Sequence, residues 1–364
     1  MQGTEGSNPG PSSGESGANS TPRFGDQRPV SSLSRHLTSG TITPVVIDPP
    51  RNALKLRAAT VVRSVQEFLD TEQCRYLEDL PLVHIEKIAY GDPEPFTPRP
   101  ETPLGGVRAL GFSHVIAGPG MGRGLAYHGA DVLNLWTPDD FEMDFNYYSA
   151  NVGMRSAIMD FRRSDEMARF RQLVAGADIF FANRRGLLEK LGITSSELAR
   201  LRPGIVQVDF SIYGAVGPWA NRIGFDQSAG GVSGVLALEG SVEEPKLPDI
   251  FVVNDFISSW IGIVGAIAAL RRRATEGGSY RVRVSLARLS LWLLQMGVFD
   301  KCYASDVAGG AGDHAYPNPD LFQVDTPCGH YQGATDQVVM SGTPGFFSVP
   351  LVPRGSSKAE WLAR

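Results

Sequence analysis

Two hydrophobic periods alternate along most of this chain. From residue 104 onward, short apolar runs at 107–112, 131–136, 154–161, 177–182, 205–211 and 280–286 have strand length and strand composition. Between them lie stretches with helical spacing. A Gly-rich turn enters a short helix after residue 113, and further helical patterns cover 164–175, 185–201, 256–273 and about 287–300. Strand and helix taking turns in this way predict an α/β fold, a Rossmann-like open sheet that is mainly parallel. Upstream, apolar positions between 53 and 73 read as one helix, and 81–90 alternates like a strand. Pro and Gly punctuate 91–103, which reads as an extended connector. The expected organisation is a low-complexity, disordered tail at 1–46, a helix–strand segment with connector at 47–102, the α/β domain at 103–300, and a loop-rich segment at 301–364.

The stretch 217–270 concentrates the sequence's candidate chemistry. It opens with a turn-rich GPWANRIGFDQSAGG, continues through a polar loop, and ends in FVVND followed by about fifteen mostly apolar residues of helical length. Asp255 thus sits where an extended run meets a buried helix. There an Asp can be an N-cap that accepts from the orphan N–H groups of the first turn. It can equally be a nucleophilic carboxylate whose surrounding N–H groups stabilise a developing oxyanion. Position alone leaves both readings open.

Composition narrows the function classes. Apolar residues make up 42% and charged residues 20% of 364, as in an ordinary soluble globular protein. The net charge of −5, without a dense Lys/Arg cluster, argues against nucleic acid or an anionic membrane as partner. Three scattered cysteines form neither a disulfide framework nor a zinc site, and no His/Cys spacing predicts any metal. No apolar secretory region opens the chain, and the apolar run at 256–270 is too short to span a bilayer, so a cytoplasmic location is expected. Gly118, Gly120, Gly122 and Gly124 follow a strand, but G-x-G-x-x-G would need glycine at 123 or 125, where Arg123 and Leu125 stand. The next strand also ends at Trp136 instead of an acidic residue, which argues against NAD. His114 follows the first strand, at the sheet's functional end, with a packing or turn role as the alternative to a catalytic one.

Several segments together resemble the class III CoA-transferases, the CaiB/BaiF family. LGGVRALGFSHVIAGPGMGRGLAYHGADVLNLW is similar to that family's opening strand, AGP loop, helix and GADV strand. NVGMRSAIMDF follows it, and LVAGADIFFANRRGLLEKLGI resembles its ADV-x-x-x-N-x-RPG-x-x-x-x-LG segment. RPGIVQVDFSIYGAVGPWANRIGFDQSAGG resembles its S-x-x-G-x-x-GP…R-x-G-x-D signature. The resemblance covers roughly 104–300. It implies coenzyme A, as an acyl-CoA donor, and a small carboxylic acid acceptor as substrates, with no metal. VVND matches the family's nucleophile position, so the resemblance implies that Asp255 passes CoA through a covalent aspartyl-CoA thioester. It also implies that His114, Ala117 and Gly118 line the thioester, that Arg155 and Arg184 meet the nucleotide phosphates, and that the chain forms a homodimer.

Departures from the family pattern are as informative. The usual Arg after the GADV strand is Thr137, the Pro of RPG is Arg185, and the His used by racemase relatives is Phe225. Phe225 cannot move a proton, which disfavours α-methylacyl-CoA racemase chemistry. A catalytically degenerate binding or scaffold protein is the alternative that the first two departures keep open. The small domain is expected to be reduced or permuted, as in a partial member of a longer fused subfamily. LVPRGS at 351–356 coincides with a thrombin-site tag, but its Pro-rich context favours native sequence.

Overall fold

The computed structural model describes residues 59–363 apart from 313, 314, 316, 317, 336 and 337. The expected disordered tail and the first residues of the expected 53–73 helix lie outside the described residues. From 59 onward that helix is not continuous. The chain stays extended to Ser64, whose hydroxyl and Glu67 form a reciprocal cap that starts α1 (Val65–Leu69). Thr71 then caps a second helix, α2 (Glu72–Glu78). Apolar periodicity carried across the break, and the caps decided where each helix begins.

The described residues build a seven-stranded sheet in the order β1-β7-β6-β5-β2-β3-β4. Its strands are β1 (His84–Ala89), β2 (Arg108–Phe112), β3 (Asp131–Trp136), β4 (Arg155–Ile158), β5 (Ile179–Ala182), β6 (Val206–Ser211) and β7 (Ser279–Ser285). All pair in parallel except β1, which runs antiparallel to β7 with Ile85 opposite Val282. Residues 84–89 therefore share one sheet with the α/β segment that begins near 103. The chain leaves β2 towards β4 and then returns to β5 on the other side. The strand order reverses between β2 and β5, where open α/β sheets bind their ligands beyond the carboxyl ends of the strands.

Alternation along each strand feeds two cores. Ala109, Ile179, Val208 and Val282 point to one face, covered by α3 (Ala117–Tyr127) and α10 (Val253–Glu276). Leu110, Leu133 and Phe180 point to the other, covered by α5 (Ser164–Ala175), α6 (Arg185–Lys190) and α7 (Ser195–Leu201). The crossovers β5 to β6 and β6 to β7 run in the same direction over opposite faces, so they have opposite hands and one of them departs from the right-handed rule. That departure lays α10 beside α3, on the face where the site is built.

Several elements differ from the sequence reading. α10 runs well beyond the expected 256–273. It is long and apolar enough to cross a membrane, but half of its apolar window is buried against protein. Gly262 and Gly265 let it approach Phe210 and Val282. The stretch read as turns contains α8 (Asp226–Ser233) and α9 (Val235–Glu239), and the β3–β4 connection holds α4 (Asp144–Ala150). Beyond β7 come α11 (Leu286–Gln295) and α12 (Lys301–Val307), and the part expected to be loop-rich contains the hairpin β8 (Leu321–Thr326) and β9 (Gly329–Ala334). The final segment is tied to β4: Gly153 donates to Pro350, Gly355 to Ser156 Oγ, and Ser357 to Ser156 O.

Candidate active site

Asp255 lies in the third position of α10, and the cap of that helix comes from elsewhere. The Val252 N-cap offers no side-chain acceptor. Instead Asp226, at the start of α8, accepts from the Asp255 N–H at 2.8 Å and from Asn254 Nδ2 at 3.4 Å. Asn254 is fixed in turn by Ser290 Oγ, 2.8 Å from its Oδ1. The N-cap reading of Asp255 is thereby overturned, because Asp226 does that work across the chain. The Asp255 side chain accepts no hydrogen bond from any described group, although the residue is only 6% exposed. Burial first, and then the neighbouring Asp226 charge, push its pKa up to about 7. Burial also raises the pKa of Asp226. The pair thus holds a carboxylate poised between its acid and ionised forms near neutrality, at a helix N-terminus whose dipole favours negative charge.

The loop after β2 reaches the same place. Ser259, one turn beyond Asp255 on α10, donates to Ala117 O at 2.9 Å and also lies 3.0 Å from Asp255 O. A Cβ on Gly120 would come within 2.5 Å of Ser259 Oγ, so glycine sets how closely the two helix starts can approach. A Cβ on Gly118 would similarly meet Ser113. Asp255, Ala117 and Gly118 are therefore brought together, and His114 is three residues away. Both segments carry backbone strain. Val115 has φ of 63°, and Phe251, just before α10, has φ of 66°. Such values in a β-branched and an aromatic residue cluster at functional sites. Two asparagines clamp the strained loop. Asn183 pairs with both backbone groups of His114 at 3.1 and 2.7 Å, and Asn134 with those of Ser113 at 3.3 and 3.0 Å. Asn134 stands on β3 and Asn183 directly follows β5, the two strands flanking β2, and sequence reading assigned neither a role.

At the strand-order reversal, His114, Thr137, Asp140 and Arg184 lie together beyond the carboxyl ends of β2, β3 and β5. Arg184 is almost wholly buried and lies 2.6 Å from Asp140, whose other oxygen accepts from Thr137 N at 2.6 Å. Burial works to raise the Asp140 pKa, but these bonds hold it below the usual carboxylate value. The guanidinium also stands over the rings of Phe112 and Trp136. His114 is driven down to about 4, by burial first and then by Arg184, so it is neutral at pH 7. His114 Nδ1, Trp136 Nε1 and Arg184 Nε are buried without partners. Buried polar atoms are normally paired, so three unmet ones so close together single this place out.

Arg155 is placed away from these residues. It pairs with Asp131 at 2.7 and 3.1 Å and donates to Glu360 O at 2.7 Å, at the amino ends of β3 and β4. The phosphate role that the motif gave it does not fit that position. Phe225 is the residue before α8 and is half exposed.

The model of CoA-transferase family III matches residues 104–331. Among curated relatives, the acetyl-coenzyme A transferase nodX of Hypoxylon pulicicidum is 28% identical over 262 residues, covering 67% of this chain and 44% of that protein. The succinyl-CoA–L-malate CoA-transferase alpha subunit of Chloroflexus aurantiacus is 28% identical over 235 residues, covering 59% of this chain and 55% of its own length. The chain spans about half the length of the curated relatives it matches. A solved CAIB/BAIF family protein from Brucella suis is similar at 24% identity and a TM-score of 0.49, covering 63% of this chain and 65% of that one. With a family model matching well over half of its residues, on a doubly wound sheet built around the same segments, this chain belongs to CoA-transferase family III.

Proposed function

We propose that the protein is an acyl-CoA:carboxylate CoA-transferase with Asp255 as its covalent nucleophile. The observation that carries this reading is the Asp255 carboxylate, buried at a helix start with no hydrogen-bond donor of its own. A structural aspartate in that position would be capping, and Asp226 already caps. The relatives named as CoA-transferases support the same chemistry.

In the proposed cycle an ionised Asp255 oxygen attacks the carbonyl of the acyl-CoA thioester. The C–S bond breaks, CoA leaves as thiolate, and a mixed anhydride joins Asp255 to the acyl group. The thiolate then attacks the Asp255 carbonyl and releases the donor acid as carboxylate, leaving an aspartyl-CoA thioester. An acceptor carboxylate attacks that thioester, forming a second anhydride and freeing the thiolate once more. Thiolate attack on the acceptor acyl carbon gives the product acyl-CoA and restores Asp255. Each step exchanges one activated acyl bond for another of similar energy, so a carboxylate suffices as the carrier. The Asp255 N–H is held by Asp226 and the Phe256 N–H by Val252 O, so the dipole of the α10 N-terminus is what favours the developing negative charge. Proton exchange on the acyl α-carbon would call for an acid or base where Phe225 stands.

The test is CoA exchange between an acyl-CoA panel and free carboxylic acids. Wild type forms the acceptor's CoA thioester, and Asp255→Asn loses at least about 10³-fold in turnover. Turnover by Asp255→Asn near the wild-type rate would end this reading.

A further inference from the structure

The two guanidinium groups at the strand-order reversal differ in one respect. Arg184, the one that the sequence motif singles out, is neutralised by Asp140 at 2.6 Å and is buried. Arg354 comes from the far end of the chain and stands over the same Trp136 ring, 5.5 Å from its centroid. It donates to the backbone oxygen of Asp140 at 2.7 Å, and among the described residues it has no carboxylate partner. It is also exposed.

Its position is built. Leu351 is buried with Trp136 and Tyr147 in a small core, and Tyr147 Oη donates to Val352 O at 2.8 Å. Gly355 N is held by Ser156 Oγ at 2.9 Å. The residues on both sides of Arg354 are thus tied down, its guanidinium stands over an indole, and the side chain is exposed. A planar, permanently charged fork held ready in this way matches a phosphate. It also stands beside Thr137, the position that carries no cation of its own.

We propose that Arg354 is the anion-binding residue at this place, and that it holds a phosphate of the CoA nucleotide while Arg184 stays locked to Asp140. The proposal rests on the CoA-transferase reading and makes the 350–357 segment a wall of the substrate site. It assigns the donor's charged end to the tail of the chain, and the reacting thioester to the α3–α10 side.

The test uses the full chain and compares wild type with Arg354→Gln and Arg354→Lys. Binding of CoA and of pantetheine, which lacks every phosphate, is measured by calorimetry, together with KM for the acyl-CoA donor and for the acid acceptor. The expected result for Arg354→Gln is about a tenfold weaker CoA affinity and a similar rise in donor KM, with kcat within about twofold. Pantetheine affinity and acceptor KM should not change, the melting temperature should stay that of wild type, and Arg354→Lys should recover part of the loss. Unchanged CoA affinity in Arg354→Gln overturns the proposal. So does a rise confined to acceptor KM, which would make Arg354 a carboxylate clamp, or an equal loss for CoA and pantetheine. If wild type itself binds no CoA, the CoA-transferase reading fails first, and it is distinguished by that control.

Discussion

The two ends of the parallel sheet are built on opposite principles. At the amino ends of the strands, carboxylates and guanidiniums satisfy one another. Asp131 takes Arg155, and Asp178 takes Arg202 at 3.2 Å, Arg273 at 3.0 Å and the Arg108 N–H at 2.9 Å. Glu94 joins the same network through Arg202 at 2.5 Å. At the carboxyl ends, among the described residues, the Asp255 carboxylate has no donor, Arg354 has no counter-ion, and His114 Nδ1 and Arg184 Nε are orphaned. Arg273 Nε, His128 Nδ1 and Gln207 Oε1 are exceptions towards the amino ends. A buried polar group without a partner costs about 1–3 kcal/mol. The clearer difference lies in the charges: those at the amino ends are matched with one another, whereas the carboxyl ends hold an acid and a cation left unmatched among the described residues. Strained Val115 and Phe251 add to the same end.

That division can be broken by substitution, and the expected effects fall in order. The largest comes from Gly120→Ala, whose new methyl must displace Ser259 Oγ and so push α10 away from α3. Exchange activity should drop about 100-fold, with a loss of roughly 1–3 kcal/mol in stability by chemical denaturation. Near-normal activity would mean that the α3–α10 approach is not what assembles the site. Next, Arg155→Met leaves Asp131 partly buried without a counter-ion, held only by the Leu362 N–H at 3.3 Å, and should cost about 2–3 kcal/mol. Its donor KM, measured well below the melting temperature, should match wild type. A large rise in donor KM would put Arg155 back in the CoA site and erase the contrast between the ends.

The smallest effect sharpens the carboxyl end. The rate of transfer should fall on the acid side with a midpoint near pH 7, as Asp255 takes up its proton. Asp226→Asn removes the nearby charge that helps raise this pKa, so the acid limb should move to lower pH by up to about one unit. A limb that stays in place would show that Asp226 acts on position alone. The sign for stability is the reverse of a salt-bridged carboxylate. Because the folded pKa lies above the ordinary value of 3.8, the folded state binds this proton more tightly than the unfolded chain. That contribution is full below the ordinary value and is lost as pH rises through 7. Asp255→Asn should therefore flatten the fall of stability between about pH 4 and 7.

Much of the sheet was legible because buried parallel strands leave near-continuous apolar runs. β2, β3, β4, β5 and β6 all fall inside runs read from the sequence, β7 begins one residue before its run, and α5 falls at 164–175. α8 was not legible. Its Gly230 and Gly231 look like turn residues, yet a Cβ on Gly231 would meet Thr60 at 3.2 Å. Gly231 serves close packing against a distant segment, which no local pattern records. Asp255 could be located from its place before an apolar helix, but its freedom from capping depended on Asp226, twenty-nine residues earlier. The signature ending in Asp226 held that signal, though not its meaning. Arg354 was further out of reach, since its tie to Asp140 spans more than two hundred residues. Arg155 shows the converse: a motif can name a residue without saying at which end of a strand it points.

The most direct test of the central claim is intact-protein mass spectrometry after incubation with acyl-CoA donors, using wild type and Asp255→Ala. The account predicts an acyl- or CoA-sized adduct on wild type alone, mapping by peptide digestion to Asp255. CoA binding with no adduct on wild type, or an adduct that persists in Asp255→Ala, would contradict it.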